Sequence, residues 1–300
     1  MQSPFSIDVA LDRAIEQHQR GDTAAAEAGY RAVLNASPNE PDALNLLGVL
    51  LQDRGQIEDA IALIERALEC SPDFPEALTN LARAKRATGD AEAALASASR
   101  AVALDPDLAE AHHQLGRALL DLSRDKEALG PLEKATALAP EAVDHAVALG
   151  NVRLRLHNIR AAIAAYESAL RHAPDRIDVR INLAACLLKL DQPRAAIAHQ
   201  RHALTIAPND PVCHAGLAAS LRVMSDIPGS AAASLRAVEL APDYPEAWLL
   251  LGTNRISLGQ FDAAETCFRK VLDLNPDSGA ARAGLVAIGR AGHEQAELET

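Results

Sequence analysis

Eight prolines fall in an unbroken series, Pro38, Pro72, Pro106, Pro140, Pro174, Pro208, Pro242 and Pro276, each 34 residues from the next. A chain of 300 residues could otherwise hold one large domain or two ordinary ones. A strict period of this length means one supersecondary unit copied along the chain, each copy burying its apolar face against its neighbours. The series assigns residues 7–278 to eight units: 7–40, 41–74, 75–108, 109–142, 143–176, 177–210, 211–244 and 245–278. Residues 1–6 read as an N-terminal extension, 279–290 as a helix closing the stack, and 291–300 as a tail.

With each repeat numbered from 1 to 34, small residues recur at fixed places. Position 8 is Gly or Ala in every copy: Ala14, Gly48, Ala82, Gly116, Gly150, Ala184, Ala218 and Gly252. Position 20 is Ala in all copies but one, where it is Ser230. A small residue fixed at one point of a helix implies that another backbone passes close by, and a larger side chain there would overpack. Apolar positions 4, 7, 8 and 11 share one helical face, and so do 20, 24, 27 and 28. Each repeat is therefore expected to hold helix A over about positions 1–14 and helix B over about 18–30. Gly21, Gly55, Gly89 and Gly259 mark the turn between them. Asp or Asn after the repeat proline is suited to capping the next helix A. The acidic residue at position 2 of seven copies suits a helix N-terminus. Two departures stand out. Asp226-Ile227-Pro228-Gly229 predicts a delayed helix B in repeat 7, and Pro131 predicts a kink or shifted start in repeat 4.

Composition narrows the function. Apolar residues make up 49 % of the chain but aromatic ones only 3 %, so the core is built mainly of Ala and Leu, strong helix formers. A formal net charge of −12 disfavours nucleic acid and anionic membrane as partners. No apolar run approaches the length of a membrane span, and the N-terminus lacks the pattern of a secretory signal. Cys70, Cys186, Cys213 and Cys267 form no CxxC pair and read as buried small hydrophobes in a reducing compartment. A cytoplasmic protein is the resulting expectation. Phosphate loops, HExxH helices and nucleophile elbows are missing from the sequence. His112 and His113 point to different faces, and His199 with His202 lacks further metal ligands. No catalysis, metal or cofactor is expected.

The eighth copy carries Trp248, Leu251, Gly252, Ala264, Phe268, Val271 and Pro276, and the fifth carries Leu149, Gly150, Ala162, Tyr166, Ala169 and Pro174. In these residues the chain resembles the tetratricopeptide repeat family, over residues 7–278. The resemblance implies an all-α, right-handed superhelical solenoid of antiparallel helix pairs with a C-terminal capping helix. It also implies that helix A lines the concave side and that the protein binds other proteins. The family's clamp for chaperone C-terminal carboxylates is not matched: Asn151 and Asn182 supply its middle pair, but Val147, Val212 and Gly216 replace its other residues. The asparagine ladder of O-GlcNAc transferase-like solenoids survives only as Asn80 and Asn182, with Gln114 between them.

If positions 4, 7, 8 and 11 pack inward, positions 2, 5, 6, 9, 12 and 13 form the opposite lane. In repeats 3 to 6 this lane is polar and partly basic, with Asn80, Arg83, Arg86, His113, Arg117, Asn151, Arg155, Asn182 and Lys189 as candidate peptide-binding residues. Arg83, Arg117 and Asn151 share position 9 in successive repeats, a row of donors suited to a carboxylate or an extended backbone. Toward the C-terminus the lane turns apolar, with Val147, Leu154, Ile181, Leu188, Leu249, Leu250 and Ile256, which calls for an apolar occupant or a cover. The leading reading is a non-enzymatic scaffold that binds an acidic or apolar protein segment. The alternatives are self-association and the targeting region of a larger bacterial sulfotransferase or O-GlcNAc transferase-like glycosyltransferase.

Overall fold

The structure, a computed structural model, describes the backbone of residues 6–298 and the side chains of residues 6–289. The expected extension over residues 1–6 therefore falls almost wholly outside the described residues. The chain divides into two compact units, Met1–Leu156 and His157–Thr300. The first holds α1 (Ile7–Gln19), α2 (Thr23–Ala36), α3 (Pro41–Asp53), α4 (Ile57–Cys70), α5 (Pro75–Ala87), α6 (Ala91–Leu104), α7 (Ala109–Asp121), α8 (Asp125–Leu138) and α9 (Val143–Arg155). The second holds α10 (Ile159–His172), α11 (Ile177–Lys189), α12 (Pro193–Ile206), α13 (Pro211–Val223), α14 (Ile227–Leu240), α15 (Pro245–Ser257), α16 (Phe261–Leu274) and α17 (Gly279–Leu298). Odd-numbered helices up to α15 are the A helices and even-numbered ones the B helices, so both units are all-α stacks of helix pairs.

Within each unit every helix packs on the next in sequence; α3, α5, α7 and α9 also touch one after another in the first unit, and α11, α13, α15 and α17 in the second. Contacts of that strength do not link successive B helices within either unit among the described residues. The A helices thus line one continuous face in each unit.

The small residues sit where the helices of a pair come closest. A Cβ added to Gly48 would lie 2.7 Å from Ile64 Cγ1; one on Gly252 would lie 2.9 Å from Phe268 Cε1. Gly116 is tighter still, its added Cβ overlapping the Leu132 side chain. Ile64, Leu132 and Phe268 all occupy position 24. Where position 8 is Ala82 or Ala218, position 24 shrinks to Ala98 or Ser234. Repeat 1 moves the gap by one residue: Ala14 fills position 8 and Gly29 opens position 23, where a Cβ would stand 2.6 Å from Ala14 Cβ. The packing therefore trades volume between the two helices of a pair.

The turn between helices A and B needs a left-handed residue at position 15 in every repeat. Gly21, Gly55, Gly89 and Gly259 supply it with φ between +71° and +82°. Ser123, His157, Asp191 and Ser225 adopt it with φ from +55° to +62°, at a cost that glycine avoids.

The repeat prolines close each unit through their carbonyls. The position-4 side chain of the next helix A donates to that oxygen in His112–Pro106 (2.9 Å), Arg180–Pro174 (2.8 Å), His214–Pro208 (2.9 Å), Trp248–Pro242 (2.9 Å) and Arg282–Pro276 (2.6 Å). Arg66 and Arg100, at position 26, reach Pro38 and Pro72 instead. Position 4 is therefore partly a hydrogen-bonding position, not simply an apolar one.

Several sequence expectations need correction. Helix α14 begins at position 17 like the other B helices, because Pro228 fits its first turn and Asp226 caps it by accepting from Gly229 N at 3.0 Å. Helix α8 keeps the common start and end around Pro131. The residues after the repeat prolines do not cap the A helices, since each stands one residue before the N-cap. Asp73, Asp107 and Asp175 instead pair with Arg100, Lys134 and His202, fastening each repeat to the loop before it. Cys70 is exposed at the end of α4, whereas Cys186, Cys213 and Cys267 are buried, and burial pushes the Cys213 thiol up to about 12. The closing helix α17 runs on to Leu298, so residues 291–298 continue it. It is seated by Ala281 and by Gly284, which faces the Phe268 ring.

Gly116→Ala is expected to lower stability by about 1–3 kcal/mol, because Leu132 must leave its rotamer. Gly130→Ala, at a helical glycine with nothing near it, should have little effect or a stabilising one. Urea denaturation followed by circular dichroism compares the two. Ser123→Gly should raise the midpoint modestly, by relieving the left-handed strain.

Candidate functional site

The helix-A face of the first unit carries most of the polar candidates. Arg83, Arg117 and Asn151 stand at the same turn of α5, α7 and α9, which touch one after another. Their surroundings differ. Arg83 donates to Gln52 Oε1 at 3.1 Å and lies 3.7 Å from Asp53. Arg86 pairs with Asp121 at 2.6 Å and donates to Gln114 at 3.3 Å. Arg155 turns off the face to Asp125 at 2.7 Å and the Leu120 carbonyl. Arg117 is half-buried and makes no hydrogen bond or ion pair among the described residues. Burial, then Arg86, pushes its guanidinium below the ordinary arginine value. Asn151 is exposed, while Val147 and Leu154 are half-buried beside it on α9.

Next to Arg117 lies a cluster that spacing alone did not reveal. His113 stacks on His145 of α9, ring centroids 4.6 Å apart. His145 places one ring nitrogen 3.3 Å from the Ala135 carbonyl and the other 3.2 Å from Glu110. Glu110 also accepts from Gln114 at 2.7 Å. Burial acts to raise the Glu110 carboxyl, but the hydrogen bonds from His145 and Gln114 outweigh it and hold it at about 2. Burial is also the main cause that lowers His113 to about 4, and Glu110 only partly opposes it. The neutral His113 leaves its Nδ1 buried without a partner.

The position-2 carboxylates contribute more than helix dipoles. Asp42, Glu76 and Glu110 line a pocket of about 430 Å³ with Leu46, Val49, Phe74 and Leu108, over a floor where Asn80 Nδ2 donates to Asn45 Oδ1 at 3.0 Å. This face thus has an acidic rim at the start of its A helices and a basic one toward their ends.

The second unit holds the apolar candidates. Ile181, Leu188, Leu249 and Leu250 line one hollow of about 460 Å³, floored by Ala185, Ala215, Gly216 and Ala219. Ile256 does not line it; with Leu249 it packs against the Phe268 cluster, which also takes Leu285 and Ile288 of α17. Asn182 is half-buried on α11 and Lys189 is exposed at its end. Beneath the hollow the core turns polar. Asn254 is fully buried, donating to Ser230 Oγ at 2.8 Å and accepting from Arg222 at 2.8 Å. His199 and His202 are engaged by Arg180 and Asp175, and no group of three metal-ligating side chains occurs among the described residues. No described helix is long and apolar enough to cross a membrane.

His113 and Glu110 both bind fewer protons folded than unfolded. Their stabilising contribution is complete above pH 6.5 and declines as pH falls, first through His113 between 6.5 and about 4, then through Glu110 between 4.5 and about 2. The urea midpoint should therefore fall on acidification, and His113→Phe should flatten the fall between pH 6.5 and 4. An unchanged pH profile in that variant would contradict the assignment.

Comparison with known proteins places this architecture. The tetratricopeptide repeat family model matches residues 17–84, 153–220 and 228–288, more than half of the chain. A second model, anaphase-promoting complex, cyclosome, subunit 3, matches residues 53–135. A search of the curated proteins found no match. Among solved structures, the APC/C hetero-tetramer Cut9–Hcn1 aligns with a TM-score of 0.67 at 16 % identity, over 94 % of this chain and 55 % of that one. The present chain thus spans little more than half the length of that relative. PilF of Pseudomonas aeruginosa aligns at 0.62 with 24 % identity, over 69 % of this chain and 94 % of that one. YrrB, described as a TPR protein with an unusual peptide-binding site, aligns at 0.52 with 21 % identity, over 62 % of this chain and 96 % of that one. The period, the helix pairs and the family model agree: the chain belongs to the tetratricopeptide repeat family.

Proposed function

We propose that this protein is a non-catalytic interaction scaffold whose helix-A faces hold segments of other proteins. The observation that carries the reading is Arg117. It stands in a row of polar groups whose other guanidiniums already have a carboxylate within ion-pair distance, Asp53 for Arg83, whose Nη2 makes no hydrogen bond, and Asp121 for Arg86. A half-buried cation that Asp121, Asp144 and Glu110 act on only from beyond ion-pair distance is a prepared place for a partner's carboxylate, because the protein has already met part of its desolvation cost. The acidic rim formed by Asp42 and Glu76 orients such a segment across the face, and the fixed helix stack limits the ordering needed on binding. The peptide-binding site attributed to YrrB is consistent with this use of the fold.

The roles within the row are unequal. Arg117→Ala is expected to weaken capture of an acidic partner segment about tenfold or more, while Arg83→Ala changes it little, since that side chain is held by Gln52 and Asp53. Helicity should be the same in both. Pull-down from native lysate followed by calorimetry with the captured partner measures the difference, and equal effects of the two substitutions would refute the assignment.

A further inference from the structure

The apolar hollow of the second unit has a polar floor. Gln200 occupies position 24 of α12, where other repeats place Ile64, Leu132 or Phe268. Its side chain is 3 % exposed. The Ser220 hydroxyl donates to its Oε1 at 2.7 Å, and its Nε2 has no acceptor among the described residues. Nε2 is not fully enclosed, so this donor opens into the hollow and can be met from there. Gly216 keeps the amide uncovered, since a Cβ there would stand 3.1 Å from Nε2. Both residues line the hollow, together with Ile181, Leu188, Leu249 and Leu250.

The chemistry of the occupant follows from this set. Its body must be apolar to match the walls, and it must bring a hydrogen-bond acceptor to the floor. A plain acyl chain supplies the first and leaves the amide unpaired; a peptide supplies both, a side chain and its own carbonyl. The rims carry charge. Arg222 and Glu246 line the hollow, and Lys189, exposed and without an ion pair among the described residues, directly follows the lining residue Leu188 at the end of α11.

We propose that this hollow is a socket for one bulky apolar side chain of a partner protein, its main-chain carbonyl accepting from Gln200 Nε2 and an adjacent acidic residue meeting Lys189. The assignment rests on the scaffold reading and adds the occupant's chemistry to it. Gly216 is the gate to the amide, and Gln200 is the group that separates a peptide from a purely apolar ligand.

The test uses the full chain and a displayed library of random twelve-residue segments. Selected segments should share a Leu-, Met- or Phe-type residue next to Asp or Glu. Synthetic copies should shift the methyl signals of Ile181, Leu188, Leu249 and Leu250 in NMR spectra, together with the Gln200 side-chain amide. Their affinity should fall about tenfold with Gln200→Leu and again with Gly216→Ala, and it should lose salt dependence with Lys189→Ala. Gln200→Leu introduces the side chain that Leu132 supplies in repeat 4, and Gly216→Ala is a second variant should that one fold poorly. Equal binding by these variants, or selection of basic segments, overturns the socket. Segments that shift only signals of α5 and α7 overturn the socket while leaving the scaffold reading intact, whereas a library that yields no binder counts against both. A concentration-dependent dimer in sedimentation, abolished by Gln200→Leu, would give the hollow to a second copy and overturn the partner assignment.

Discussion

The close approach of helices A and B within each repeat is the constraint from which the rest of this protein follows. Gly48, Gly116 and Gly252 leave no room for even one added carbon against Ile64, Leu132 and Phe268. Interiors packed to this density do not absorb extra volume, so in repeats 1, 3 and 7 a gain on one helix is matched by a loss on the other. Ala82 faces a repeat in which position 24 is Ala98, and Ala14 is accommodated by Gly29. The helix pair is conserved in shape along the chain while its filling is not. Because the contact consumes one side of each A helix, the opposite side is free of packing duty, and there the repeats diverge.

That divergence is electrostatic in the first unit and apolar in the second. On the first, the guanidiniums look alike in sequence yet differ in what surrounds them. Arg83 and Arg86 are held by neighbours one repeat away, Arg155 leaves the face for Asp125, and Arg117 remains without an ion pair. On the second, side chains at positions 5, 6 and 9 shrink to Ala215, Gly216 and Ala219, which opens a hollow between larger neighbours and exposes the Gln200 amide. In each unit a polar group is left without a direct partner on that unit's own helix-A face.

Similarity to other solenoids has the same origin. Solved structures at 16 to 24 % identity share this fold, because only a few positions per repeat are dictated by helix contact. The proline carbonyls illustrate how loosely the remainder is specified. His112, Arg180, His214, Trp248 and Arg282 perform one task with three different side-chain types, each offering a donor at the same height.

The 34-residue series by itself determined the helix pairs, their boundaries to within one or two residues, and the small residues at the nests, because these depend on local periodicity and backbone clearance. It also placed Arg83, Arg117 and Asn151 at one height. It did not determine which of those donors is free, since that depends on Gln52, Asp53, Gln114 and Asp121 arriving from neighbouring repeats. The His113–His145 stack on Glu110 joins residues 32 and 35 apart, a relation that helical spacing within one element cannot express. Ile256 read as a groove residue until α17 covered it, and Gln200 read as an ordinary helix-B residue until Gly216 uncovered its amide. Periodicity fixes which way a side chain points along its own helix, whereas what it meets is decided by the distance between helices, which only the folded stack sets.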